Sequence, residues 1–147
     1  MKKRLAILLA ICLLNICVLS AGCAEGAGGK EGIDVDFSRM GATVAQAQFN
    51  NLLANSGDYI GQTIRASGEF FSLYINEFDR YFHFVTVVAG DGCCPPDGFE
   101  IQLTGDNVSS DDYPEQYTMI EVIGVLDSYD EHGFAFLYLA IDEITII

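Results

Sequence analysis

Two alternating apolar segments of this chain carry a glycine at their centre, and that combination restricts the fold more than any other feature. Gln62–Leu73 sets Ile64, Ala66, Gly68 and Phe70 on one face, and Thr118–Ser128 sets Ile120, Val122, Gly124 and Leu126 in register. A period of two marks half-buried strands, and an interior glycine marks a sharp bend or bulge. Three more segments alternate in the same way: Arg80–Val88, Phe99–Thr104 and Phe134–Ile144. Within the first of these, Phe82, Phe84, Thr86 and Val88 are expected to face the core and His83 to face outward. Polar turns at 76–79 and 130–133 join the long strands, and the loop "GDNVSSDDYPEQY" joins the third strand to the fourth. Ahead of them, Thr43–Asn55 has a helical stripe of Val44, Ala47, Phe49, Leu52 and Leu53, with Thr43 as its N-cap. The expected fold is all-β with one N-terminal helix. The strand order and the central glycines predict a five-stranded OB-like Greek-key barrel over residues 41–147.

The stretches "DYIGQTIRASGEF" and "YTMIEVIGVL" add a resemblance. With a Cys-Cys pair after the second strand, they resemble the OB-like, tRNA-anticodon-domain-type lipoproteins of Gram-positive bacteria. The likeness runs from about Thr43 to Ile144 and rests on Tyr59, Ile60, Gly61, Gly68, Cys93, Cys94, Tyr113, Pro114 and Gly124. The OB-like subunit of a two-subunit permease family associated with metal-ion handling has a similar layout. The resemblance implies an OB-like domain and a membrane-protein or permease partner. It implies no activity.

Residues 1–22 read as a lipoprotein signal peptide. Lys2, Lys3 and Arg4 form a basic start, Leu5–Leu19 an apolar run too short for a comfortable membrane span, and Ser20-Ala21-Gly22 a small-residue processing site. Cys23 then stands where bacterial lipoproteins carry the lipidated cysteine, although Ser20 replaces the usual aliphatic residue at minus three, which leaves ordinary signal-peptidase cleavage and an uncleaved anchor as the alternatives. Residues 23–40, with "AEGAGGKEG" at 24–32, read as a flexible tether. The expected location is the extracytoplasmic face of the cell membrane, held by the N-terminal lipid.

Beyond that leader, Lys30, Arg39, Arg65 and Arg80 stand against 21 acidic residues, a net charge of −17. Such a surface repels phosphate backbones, which excludes nucleic acid as a partner.

Cys93 and Cys94 are the thiols left once Cys12, Cys17 and Cys23 are assigned to the leader and the lipid. A stapling disulfide between neighbours is poor, because adjacent Cα atoms sit about 3.8 Å apart where a disulfide usually needs about 4.4 Å or more. It would also close almost no loop. A soft-metal site, zinc for example, would join Cys93 and Cys94 to Asp91 and Asp97 within one loop. His83, roughly 17 Å along the strand from its end, is too far to complete that set. The other reading is a rim turn whose thiols pack as small hydrophobes. Thiol-disulfide catalysis lacks its Cys-x-x-Cys spacing.

Asp106, Asp111, Asp112 and Glu115 form an acidic loop without the spacing of an EF-hand. Tyr59, Phe71, Tyr74, Tyr81 and Tyr138 are candidates either for stacking on a ligand or for rim packing. No Ser-His-Asp set, paired catalytic carboxylates, phosphate-binding glycine loop or HExxH stretch occurs, so a non-catalytic binding or accessory module is expected, with transport or envelope assembly as its setting. The alternative is a soft-metal or thiol-redox protein acting through Cys93 and Cys94.

Overall fold

The computed structural model describes residues 32–88, 90 and 96–147. Within them seven strands form one sheet, with one α-helix in front. The strands are β1 (Val35–Asp36), β2 (Thr63–Ile75), β3 (Arg80–Val88), β4 (Asp97–Leu103), β5 (Met119–Glu131), β6 (Phe134–Ile141) and β7 (Thr145–Ile146); the helix α1 is Ala42–Ala54. The five strands expected from alternation correspond to β2 to β6. The short β1 and β7 were not expected, since two residues carry no periodicity.

The sheet order is β1-β2-β3-β4-β6-β5-β7, and β5 also pairs with β2. The pairings therefore run round a ring through β2, β3, β4, β6 and β5. All are antiparallel except β4–β6, which is parallel over Glu100–Leu103 and Tyr138–Ile141. The ring is only partly closed. β3 and β4 pair no further than Phe84 opposite Glu100, so Arg80–His83 and Ile101–Leu103 part company at one end. The β5–β6 hairpin turns on His132 and Gly133, both at positive φ, a geometry whose twist suits the strands it joins.

Gly68 and Gly124 explain how the ring bends. A Cβ on Gly68 would lie 1.7 Å from the Thr86 carbonyl oxygen, and one on Gly124 would lie 2.7 Å from that of Ala140. At Gly68 the long β2 curves from β5 toward β3, and Thr86 Oγ1 accepts from the Glu69 N–H at 3.1 Å. Only hydrogen fits at these crossings.

Ile64, Ala66, Phe70, Val85, Ile101, Ile120, Val122, Leu126, Leu139 and Ile141 fill the ring. The helix closes one end of it. Phe49 meets Phe99 edge-on at 5.1 Å, and Phe37 meets Phe99 at 5.3 Å. Burial of each such ring is worth roughly 1.5–3 kcal/mol. Val35 and Phe37 are core residues, so packing begins inside the segment 23–40 that was expected to act as a tether. Arg65 secures this entry, with Asp36 at 3.6 Å on one side and Glu121 at 3.9 Å on the other.

Three local expectations are corrected. The N-cap of α1 is Gly41, not Thr43, and its buried face is Ala45, Phe49 and Leu52. Val44 and Leu53 are exposed because the ring has room for a narrow stripe only. In β3, Phe82 and Val88 are buried as expected, but Val85, paired with Phe70, is buried too, whereas Phe84 pairs with Phe71 on the opposite face and neither it nor Thr86 is fully buried. His83 therefore lies on the inward face, not the outward one.

Candidate ligand-binding face

The open end of the ring is where charged and aromatic side chains gather. Arg80 opens β3, Glu100 sits where β4 leaves β3 for β6, and Tyr129 and Glu131 end β5. Two hairpin tips bring these strand ends together. Phe78, in the β2–β3 turn, packs edge-on against Phe82 and Phe136 at 5.4 and 5.3 Å, and stacks on His132 of the other turn. This apolar bridge buries Phe82 and sets the spacing of the two tips.

Glu100 is the one buried charged residue among those described, at 4 % exposure. A carboxylate there needs its lone pairs occupied. The Tyr129 hydroxyl donates to Oε2 at 2.8 Å, Gln102 Nε2 donates to Oε1 at 2.9 Å, and Arg80 Nη1 lies 3.5 Å away. Arg80 also donates to Glu131 Oε2 at 3.0 Å and to the Tyr129 hydroxyl, and its guanidinium covers the Phe82 ring at 3.8 Å. Burial works against the charge on Arg80, but the Glu131 hydrogen bond and the nearby acids outweigh it and raise its pKa. Burial pushes the Tyr129 phenol up as well, helped by its bond to Glu100, so it stays a donor. Tyr138, raised by burial and by Asp127, stands edge-on to Tyr129 at 5.6 Å.

Arg80, Gln102, Tyr129, Asp130, Glu131 and Tyr138 line an open hollow of about 380 Å³. Its cation is already neutralised by two carboxylates. What it offers a ligand is two phenol rings together with amide, carboxylate and guanidinium groups fixed by one another. That inventory suits a neutral molecule carrying many hydroxyls better than an anion.

On the inward side of β3 the His83 ring lies 3.7 Å above that of Tyr113, and its Nδ1 is 3.0 Å from Ser72 Oγ. Tyr113 accepts from the Leu103 N–H at 3.2 Å, so the loop after β4 is pinned across the ring's end. Burial, with the positive field of Arg80, lowers the His83 pKa below its ordinary 6.5. The unfolded chain then binds a proton before the folded one does. Stability from this group is complete above about pH 6.5 and falls as the pH drops from there toward the folded pKa. We expect His83 to titrate below 6.5 by NMR, and the melting temperature of wild type to fall more between pH 7 and 5.5 than that of His83→Phe. Equal falls would contradict the assignment.

Of the residues singled out in sequence, Cys23, Asp91, Cys93 and Cys94 lie outside the described residues. Asp97 begins β4 and accepts from Gln46 Nε2 of the helix at 3.0 Å. Among the described residues no group of three His, Cys, Asp or Glu is placed to hold a metal ion. No helix among them is long and apolar enough to cross a membrane. Tyr138 belongs to the hollow, whereas Tyr59 packs against the core and accepts from Asn51 and Gln48 of the helix. Tyr74 and Tyr81 meet edge-on at 5.1 Å on the rim. The acidic loop is ordered by Asp112, which accepts from the N–H and hydroxyl of Ser109. Sequence reading missed Arg80, Glu100 and Tyr129 as a set, because they lie 20 to 49 residues apart. Comparison with protein-family models, with curated proteins and with solved structures gives no match.

Proposed function

We propose that this chain is a non-catalytic, OB-type binding module, anchored by lipid at Cys23 on the extracytoplasmic face of the membrane, whose ligand is a neutral polyhydroxylated molecule such as an envelope glycan. The observation that carries the reading is the hollow around Arg80. It lies between two hairpin tips, at the split between β3 and β4; its one cation is held by Glu100 and Glu131, and Asp130 also lines it, so it offers an anion no free positive charge. The ring order and the parallel β4–β6 contact support the OB-type assignment. In OB folds the face beside the two hairpin tips is the usual ligand surface, which is a fold-level analogy and weighs as one. Here the plug is the N-terminal α1 rather than a helix between the third and fourth strands of the ring. The leader and the lipobox-like cysteine support the location, and a membrane-bound partner in transport or envelope assembly would follow from it.

Glycan binding to the full chain, measured by calorimetry with chitotriose and cellotriose as neutral probes, tests this reading. Binding is expected, with Tyr138→Ala weakening it about tenfold, the usual effect of losing one stacking ring. No heat with either probe, or an unchanged affinity in Tyr138→Ala, would remove the hollow as the site. Turnover of either probe that disappears in a single variant would overturn the non-catalytic reading.

A further inference from the structure

We infer that a second site, an aromatic trough beside the start of β4, binds a small organic cation of the quaternary or alkylated ammonium class. This does not depend on the glycan reading. The trough measures about 520 Å³, within the usual range for small-ligand sites, and is lined by Phe71, Phe84, Tyr117 and Asp97, together with Phe49 of the core. Phe71 lies 6.4 Å from Phe84 and 6.5 Å from Tyr117, with the ring planes tilted by 33° and 39°. Neither pair is stacked, so each ring keeps π surface for a guest.

Tyr117 supplies an independent observation. It is 66 % exposed, yet its backbone sits at φ 65°, a left-handed conformation that a β-carbon disfavours. The chain holds it there firmly. Its N–H donates to the Phe70 carbonyl at 2.8 Å, and the neighbouring Gln116 amide both accepts from the Ser72 N–H and donates to the Ser72 carbonyl, at 2.9 and 2.6 Å. The angle belongs to the turn that leads into β5, where the Thr118 N–H donates to the Glu115 carbonyl at 3.2 Å. The turn accounts for the backbone but not for an exposed aromatic ring at a position that favours glycine or asparagine.

Charge chooses among guests. Aromatic faces attract cations. Among the described residues, the one ionisable side chain besides Tyr117 that lines the trough is Asp97, whose carboxylate is oriented by Gln46, and a chain of net charge −14 repels anions. A neutral apolar guest would meet the same rings but gain nothing from Asp97.

The test titrates the full chain with choline, its neutral isostere 3,3-dimethyl-1-butanol, and the anion 3,3-dimethylbutanoate, followed by NMR. Choline is expected to bind at least tenfold more tightly than the alcohol, and the anion more weakly than either. Asp97→Asn should abolish the preference for choline. Tyr117→Gly should raise the melting temperature, because glycine accepts the backbone angle, while weakening choline at least tenfold. Equal binding of the alcohol, no saturable binding of choline, or wild-type affinity in either variant would overturn the assignment. The Gln102 and Tyr138 signals report on the other site, so failure here is distinguishable from failure there.

Discussion

Gly68→Ala is expected to cost about 3 kcal/mol or more, the upper end of what overpacking does in a core. The added methyl would sit 1.7 Å from a backbone oxygen of Thr86. No side-chain rotation relieves a clash with backbone. β2 and β3 would have to separate where Phe70 pairs with Val85, and both of those residues are fully buried. Against a total stability of about 5–15 kcal/mol for a domain, this is a large fraction. Gly57→Ala is the control, since a Cβ there meets nothing within 4 Å. In urea unfolding, Gly68→Ala should lose its midpoint or shift it far below wild type, and Gly57→Ala should stay close to it. Similar midpoints for the two would mean that β2 does not cross β3 as described.

Arg80→Ala carries the second large effect. It leaves Glu100 buried with only the neutral donors Tyr129 and Gln102, and uncovers the Phe82 ring. Removing one partner of a buried pair costs about 3–5 kcal/mol, and partial exposure of Arg80 brings the expectation to about 2–3 kcal/mol. Arg80→Ala/Glu100→Gln should recover part of the loss, because the amide keeps an acceptor for Tyr129 and carries no charge. A double-mutant cycle in urea measures this coupling directly. If Glu100→Gln only adds to the damage of Arg80→Ala, the charge pair is not what holds the open end together.

The two glycines that bend the ring were legible in sequence, and so were the bodies of β2 to β6, because alternation over six residues or more needs nothing beyond itself. β3 was misread for a physical reason. Its buried residues Phe82, Val85 and Val88 are spaced by three, since different neighbours bury each. Val85 faces the core opposite Phe70, whereas Phe82 is covered from the other side by Phe78 and Phe136 across the hairpin tips. Glu100 was hidden in the same way. Between Phe99 and Ile101 it reads as a solvent-facing residue, and only the approach of Tyr129 and Arg80 makes it an interior one. One signal was available: Arg80 is one of seven Lys and Arg residues in the chain, against 21 acids, and it opens a strand. A cation that scarce is worth tracing to its partners.

Amide shift mapping of the isotopically labelled full chain, titrated with chitotriose, tests the ligand-face assignment most directly. Saturable shifts are expected to concentrate at Gln102, Tyr129, Glu131 and Tyr138, with the residues of the helix α1 unmoved. Shifts that avoid these four residues, or none at all, would contradict the account.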